Sequence, residues 1–184
     1  MKKNTGKVII HATITLDGFM ADTNGGMDWT NDVRVADEDM KLVGNIMEEI
    51  GAIVGGANKT QTIEEGEEPY GGSLKIPVYL MTHSAHEPIK KDGVTYTFVV
   101  NDIAQAVEAA KKAAGGKSVS LLGGKISKQC LKLGLVDEIQ LHVVPVLLGD
   151  GISLFGGLGE RINLERIETK AFADENHLRF RVIE

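Results

Sequence analysis

A pair of glycines between a short apolar run and a helical pattern is the first feature of this sequence that could do chemistry. The run 118–122 has the length of a buried strand, and Gly123-Gly124 follows it. From Lys125 the apolar residues recur at helical spacing, and Gly134 is placed to end the helix. The free N–H groups at such a helix start attract anions, and glycines let a phosphate approach closely. A plain tight connection has the same pattern, so both interpretations stay open.

A second group of candidate residues follows the first predicted strand. Asp17 lies directly after that strand. Trp29 lies in the glycine-rich loop that comes next, and Asp32 follows the loop. Loops held by a rigid strand often carry function. The carboxylates are candidates to supply or relay a proton, provided that their pocket raises the pKa enough, and Trp29 is a candidate to stack on a substrate. The alternatives are a tryptophan packed in the core and loop aspartates that bond nearby backbone N–H groups.

The sequence does not predict a metal site. His83 and His86 are close to one another, but neither has a cysteine or a further histidine near it in the sequence. Structural metal sites usually combine several such ligands at short spacings. A polar loop is therefore the favoured interpretation of this pair.

Composition and charge limit the class of protein. The 184 residues include 42% apolar and 25% charged residues, which is typical of one globular domain over 1–184. The net charge of −6 argues against nucleic acid or an anionic membrane as partner, so an anionic cofactor needs local cations such as Lys59, Lys125 or Lys128. Cys130 is the single cysteine, and no apolar run approaches membrane-spanning or secretory character. We therefore expect a cytoplasmic protein.

Hydrophobic periodicity predicts the elements that position these residues. Strands and helices are interleaved early in the chain, and strands alone follow late. This order predicts an α/β protein, a three-layer α/β/α sandwich whose sheet of about eight strands is mostly parallel and ends in an antiparallel C-terminal hairpin. The predicted strands are 7–16, 51–56, 76–82, 94–100, 118–122, 138–144, 164–172 and 177–183.

About four helices are predicted between these strands, and two of them have recognisable starts. The first has Asp32 or Asp37 as its candidate N-cap and runs to about Ile50, with apolar residues such as Met40 on its buried face. A later alanine-rich helix begins after Asp102. There the pattern resembles a capping box.

The run 134–155, GLVDEIQLHVVPVLLGDGISLF, resembles one family. It is similar to the reductases with the dihydrofolate-reductase-like fold, especially the C-terminal reductase domain of the bifunctional riboflavin-biosynthesis deaminase/reductase and its stand-alone relatives. The predicted order of elements is also that of this fold, so the resemblance covers essentially the whole chain. It implies an NADPH-dependent reductase that transfers hydride to a small heterocycle of the pteridine or ribityl-pyrimidine type. A non-catalytic nucleotide- or ligand-binding protein that keeps the fold is the alternative.

The resemblance also implies roles for individual residues. In the family, the double glycine and the following helix hold the cofactor pyrophosphate, the segment 17–21 covers the nicotinamide, and two strand ends hold the adenosine half. The implied cofactor-binding residues are Ala21, Gly55, Gly56, Thr82, His83, Gly123, Gly124, Lys125, Ile126 and Ser127. The candidates for catalysis remain Asp17, Trp29 and Asp32.

Three positions depart from the family pattern. Gly56 stands where an arginine usually pairs with the 2′-phosphate of NADPH, so NADH is not excluded as the cofactor. Arg34 occupies the position of the folate enzyme's active-site carboxylate, five residues after the tryptophan. Leu122 replaces a glutamate that usually contacts the substrate in the riboflavin pathway. The substrate is therefore left open, and Lys59 or His83 are candidates to replace the missing arginine.

The apolar run 143–148 raises the question of assembly. It is long for a loop edge, and the simple interpretation is that it belongs to the core. Relatives are commonly homodimers, and a symmetric contact would use this segment and the C-terminal hairpin. We therefore predict a homodimer.

Overall fold

The computed structural model describes residues 6–57 and 69–183, and within them hydrogen bonds join nine strands into one mixed sheet and two further strands into a small one. The strands are β1 (Val8–Thr15), β2 (Phe19–Ala21), β3 (Ile50–Gly56), β4 (Val78–Thr82), β5 (Ile89–Lys91), β6 (Val94–Val100), β7 (Ser118–Leu121), β8 (Glu138–Val144), β9 (Ile152–Ser153), β10 (Asn163–Phe172) and β11 (Glu175–Ile183). The helices are α1 (Asp37–Glu48), α2 (Ile103–Ala113) and α3 (Gly124–Lys132), with 3₁₀ turns at Asp28–Asp32 and Pro69–Gly72. In the described ranges, no helix is both long and apolar enough to span a membrane.

The strand order across the main sheet is β10-β11-β8-β1-β7-β3-β4-β6-β5. The strands from β8 to β6 pair in parallel, whereas β10, β11 and β5 pair antiparallel. This arrangement confirms the predicted α/β fold with a mostly parallel sheet and an antiparallel C-terminal hairpin. The eight predicted strands are all present, and the short strands β2, β5 and β9 are additional.

Both faces of the sheet are covered by helices, as the alternation along β1 illustrates. Val8, Ile10 and Ile14 belong to the core that contains residues of α2 and α3. Ile9 points to the opposite core, against which Ile46 of α1 packs. The central strand is therefore buried on both faces, which is expected of a parallel sheet between two helical layers, and the three-layer prediction is confirmed.

Helix α1 differs from its prediction in its N-cap and in the position of Met40. Ala36 is the N-cap, and its backbone N–H donates to the carboxylate of Asp39 at 2.7 Å, so neither Asp32 nor Asp37 caps the helix. Met40 is 58% exposed, whereas Asp39 is fully buried. A polar side chain thus anchors this helix, and hydrophobic periodicity does not detect such an anchor.

Candidate functional site

The turn between β7 and α3 forms one wall of the candidate site. Gly123 is the N-cap of α3 and has a φ of +88°, in the left-handed region that favours glycine. A Cβ at Gly124 would lie 2.8 Å from the carbonyl oxygen of Ser153 and 3.1 Å from that of Leu154. The first glycine is therefore required by the backbone conformation, and the second by the close packing of α3 against the segment around β9.

A groove runs past the start of α3 at the carboxyl ends of β3 and β4. Its inner part, here called the central cavity, has a volume of about 430 Å³ and lies between β2, the end of β3 and the start of α3. Its outer part, the outer cavity, has a volume of about 790 Å³ and lies between the ends of β3 and β4 and the side of α3. The two cavities share residues of β3 and α3, including Gly56 and Lys125. This is the edge at which open parallel sheets bind their ligands.

Nine of the ten predicted cofactor-binding residues line this groove. The central cavity is lined by Ala21, Gly55, Gly56, Gly123, Gly124, Lys125 and Ile126, and the outer cavity adds Thr82 and His83. Ser127 is fully buried, and its backbone N–H donates to the carbonyl oxygen of Gly123 at 3.0 Å. Its hydroxyl has no hydrogen-bond partner within the described ranges. The structure brings these residues together, and their roles in cofactor binding stay predictions.

Cations are present along the groove, although the chain as a whole is acidic. Lys125 and Lys132 line the outer cavity. His83 also lines it, and its Nδ1 lies 2.7 Å from the side-chain oxygen of Asn101. Lys128 is engaged elsewhere, because its Nζ donates to the carbonyl oxygen of Gly156 at 2.6 Å. Of the other proposed cations, Lys59 lies outside the described residues.

Asp17 ties the end of β1 to the loop after β8. Its carboxylate accepts hydrogen bonds from the hydroxyl of Thr15 at 2.6 Å and from the backbone N–H of Gly149 at 2.8 Å. A longer bond of 3.3 Å comes from the N–H of Leu148. The bond from Thr15, followed by those from the loop, lowers the pKa of Asp17 below its ordinary value. This favours the interpretation as a loop anchor over that as a proton donor near neutrality.

Replacing Asp17 with asparagine is expected to loosen the loop after β8. The amide keeps one acceptor oxygen but loses the charge that strengthens both backbone bonds. Amide hydrogen exchange at Leu148 and Gly149 should become faster, and the melting temperature should fall. The control is Asp32→Asn, at an exposed position, which should leave both exchange rates as they are. Unchanged exchange in the Asp17 variant would contradict the anchoring role.

The remaining catalytic candidates lie on the 3₁₀ turn Asp28–Asp32. Neither Trp29 nor Asp32 is among the described residues that line the groove. Asp32 is exposed, and Trp29 is half-buried with an indole N–H that has no acceptor in the described part of the chain. The preceding loop is held by Asp22, which accepts the N–H of Gly26 at 2.9 Å. The structure therefore does not place these two side chains at the groove, and their catalytic roles stay predictions.

A buried network of histidines on the α1 side of the sheet was not predicted. His11 Nε2 lies 2.7 Å from His142 Nε2, and His142 Nδ1 lies 2.6 Å from His177 Nδ1. His177 Nε2 in turn lies 2.6 Å from the Asp39 carboxylate. At the other end, His11 Nδ1 lies 3.1 Å from the hydroxyl of Tyr70. Burial lowers the pKa of His11 to about 4, and burial together with the two neighbouring imidazoles lowers that of His142 to about 3.

A signal for this network exists in the strand pattern. His142 is the register partner of His177 across β8 and β11, and it also faces Thr13 across β8 and β1. His11 lies two residues before Thr13 on the same face of β1. Polar residues at inward positions of three neighbouring strands therefore indicate the network. The sequence alone does not reveal it, because the pairing of these strands must be known before the residues can be seen to meet.

Comparison with known proteins identifies the family. Residues 72–178 match the RibD C-terminal domain family, which is more than half of the chain. The chain is also 30% identical over 177 residues to the uncharacterized protein YyaP of Bacillus subtilis (strain 168), covering 91% of this chain and 89% of YyaP. The chain belongs to the RibD C-terminal domain family.

Solved structures show the fold of this RibD C-terminal domain protein. A protein from Shewanella sp. PV-4, assigned provisionally to riboflavin biosynthesis, superposes with a TM-score of 0.78 at 24% identity, covering 97% of this chain and 99% of that one. A dihydrofolate reductase from Enterococcus faecalis, complexed with NADP(H), superposes with a TM-score of 0.61 at 12% identity and covers 98% of both chains. The fold is therefore dihydrofolate-reductase-like, as the resemblance implied.

Proposed function

We propose that this protein is an NADPH-dependent reductase that transfers hydride to a small heterocyclic substrate of the pteridine or ribityl-pyrimidine type. The observation that carries the proposal is the groove itself. It passes the start of α3 beside Gly123 and Gly124 and follows the carboxyl ends of the parallel strands. The family and the shared fold with an NADP(H)-complexed reductase support the same assignment. Oxidoreductase chemistry is thus the reaction class that we assign.

In this proposal the residues of the groove bind and orient the cofactor, which supplies the hydride. The backbone amides at the start of α3 hold the diphosphate, and Lys125 adds a positive charge there. The outer cavity, with Thr82 and His83, takes the adenosine half. Met20 and Ala21 of β2 form the opposite wall of the central cavity, where the nicotinamide would lie.

Calorimetric titration with NADPH tests this proposal directly. We expect one cofactor to bind per chain, and the fluorescence of Trp29, the single tryptophan, provides a second readout. A mixture of NADPH with pteridines or ribityl pyrimidines should then lose NADPH absorbance. If NADPH does not bind, the proposed function fails.

The non-catalytic alternative is supported by two features of the sequence, Gly56 in place of the family's usual arginine and Leu122 in place of its usual glutamate. Leu122 lines the central cavity where the family usually has a glutamate that contacts the substrate. A protein that binds NADPH with ordinary affinity but oxidises it with none of the offered substrates would favour this second function. Fold alone does not decide between the two.

The choice between NADPH and NADH depends on Gly56. This residue is exposed at the end of β3 and lines both cavities. Substitution by arginine should add a paired contact to the 2′-phosphate, and hydrogen bonds to charged groups contribute about 1.5–3 kcal/mol. We therefore expect Gly56→Arg to raise the NADPH-to-NADH affinity ratio by about tenfold or more. Gly56→Ala is the matched control, and an unchanged ratio in the arginine variant would place the 2′-phosphate elsewhere.

We also propose that the protein is a homodimer that pairs through the edge of its C-terminal hairpin. Strand β10 is the outer strand of the sheet, and it exposes Leu164 and Ile167. Exposed apolar edge strands are sites of strand pairing between chains. In the run 143–148, Val144 is buried in the core, while Leu147 is 70% exposed.

Size-exclusion chromatography with light scattering should give a dimer that Ile167→Lys weakens, and a monomeric native protein would contradict the proposal.

A further inference from the structure

The buried histidine network contains three side chains that offer donors to one metal ion. His142, His177 and Glu175 are all buried, and one donor atom from each lies within 4.8 Å of the other two. His142 comes from β8, and the other two come from β11. The local sequence pattern does not show this cluster, because His142 is distant along the chain from Glu175 and His177 and meets them only when β8 and β11 pair.

The two imidazoles are held in the way that metal-binding histidines usually are. Their Nδ1 atoms face each other at 2.6 Å. Their opposite nitrogens are already occupied, since the Nε2 of His177 bonds to Asp39 and that of His142 to His11. In metal sites the far nitrogen of a ligating histidine is typically hydrogen-bonded to a carboxylate or another polar group, which fixes the tautomer and the ring orientation. Both far nitrogens therefore have such a partner here.

The protons of the network can adjust to a metal. With Asp39 ionised, His177 donates from Nε2, and the two facing Nδ1 atoms share one proton that belongs to His142. A metal between them replaces that proton, which moves to Nε2 of His142, and the two rings must move apart because tetrahedral Zn–N bonds of about 2.0–2.1 Å do not fit between nitrogens at 2.6 Å. His11 then donates from Nδ1 to the hydroxyl of Tyr70, and Tyr70 donates to the hydroxyl of Ser120 at 2.7 Å. The hydrogen bond between the two Nδ1 atoms is replaced by the metal, every other hydrogen bond of the network is kept, and no proton is left over.

The charge of the cluster also favours a cation. Asp39 is fully buried and Glu175 is nearly so, and a carboxylate oxygen of Glu175 lies 3.9 Å from Nε2 of His177. Two of the nearby cations are paired with other carboxylates, Arg179 with Glu138 and Lys170 with Glu168. A divalent ion would compensate two carboxylates that are costly to bury without one.

A cavity of about 340 Å³ beneath α1 gives an ion access to the cluster. His142 and His177 line it, together with residues of α1 and β10. We propose that His142, His177 and Glu175 bind a late first-row divalent metal such as Zn²⁺, with Asp39 and His11 as the outer partners of the two histidines. Imidazole and carboxylate donors together suit such ions better than Mg²⁺ or Ca²⁺. The sequence predicts no metal site because its only neighbouring histidines along the chain, His83 and His86, lack further ligands nearby, whereas His142 and His177 meet only in the folded sheet.

Calorimetric titration of the tag-free, chelator-treated full chain with Zn²⁺ alone tests the proposal. We expect one Zn²⁺ to bind per chain and the melting temperature to rise, with the rise reversed by excess chelator. His142→Ala should abolish binding, and Glu175→Gln should weaken it by about tenfold or more. The matched control is the double variant His83→Ala/His86→Ala, which removes two exposed histidines and should bind as the native chain does.

The outcomes separate this site from adventitious binding. Loss of Zn²⁺ binding in the His83/His86 variant, or no stoichiometric binding in the native chain, overturns the proposal. If His142→Ala does not fold, Glu175→Gln decides, and native affinity in that variant also overturns it. NADPH titration of the native chain, with and without Zn²⁺, shows separately whether the proposed reductase function holds.

Discussion

Replacing Asp39 with alanine is expected to lower the free energy of unfolding by about 3 kcal/mol. The carboxylate is fully buried and accepts two hydrogen bonds, one from His177 Nε2 at 2.6 Å and one from the backbone N–H of Ala36 at 2.7 Å. Its removal leaves the buried imidazole N–H unpaired, which costs about 1–3 kcal/mol. It also removes the bond that closes the first turn of α1, worth about 1 kcal/mol.

Urea unfolding followed by circular dichroism measures this change. The control is Asp37→Ala, which alters an exposed acidic residue in the same turn and should stay within about 0.5 kcal/mol of the native protein. Asp39→Asn should lie between the two, because the amide keeps an acceptor for one of the bonds. Equal stability of the Asp39 and Asp37 variants would show that the buried network does not hold α1 in place.

The position of Asp39 also explains why the predictions for the N-cap of α1 and for Met40 are wrong, although the helix itself is present. Helical periodicity assigns apolar residues to the buried face, so Met40 was placed inward and the aspartates were placed at the helix start. The observed anchor is instead an acid that bonds to His177, 138 residues away along the chain. No local pattern carries that information, since the energy of a buried polar group depends on its partner.

Elements defined by local patterns were predicted well. The N-cap at Asp102 is confirmed, because its carboxylate accepts the N–H of Gln105 at 2.8 Å. The strand, double glycine and helix of β7 and α3 are present as predicted. The strands β2 and β9 were missed, because they have only three and two residues and exist by pairing Phe19 with Ser153 across the chain.

The candidate site was predictable to different degrees in its two parts. The groove residues lie at strand ends, and a parallel sheet brings such ends to one edge, so the family pattern could be transferred to them residue by residue. Trp29 and Asp32 lie on an irregular segment, where no periodicity fixes the direction of a side chain. Only the structure could therefore show that these two residues are not among those that line the groove.

The second substitution with a large expected effect is at Gly124, the second residue of the double glycine. Gly124→Ala is expected to weaken NADPH binding by about tenfold or more and to destabilise the fold by about 1–3 kcal/mol. The added Cβ would meet the backbone oxygens of Ser153 and Leu154 at 2.8 and 3.1 Å, and these atoms cannot rotate away as a side chain could. The start of α3 must move, and with it the amides that we propose to hold the diphosphate.

Gly123→Ala adds backbone strain without a steric clash that would displace the start of α3. Its φ of +88° makes an alanine unfavourable by about 1–2 kcal/mol, but nothing lies within 4 Å of the added Cβ. Gly93 is the matched control, with a φ of +84° and equally open surroundings at the turn between β5 and β6. Alanine at Gly93 should reduce stability as much as at Gly123, yet leave NADPH affinity unchanged. If alanine at Gly124 also left that affinity unchanged, the diphosphate would have to bind away from the start of α3.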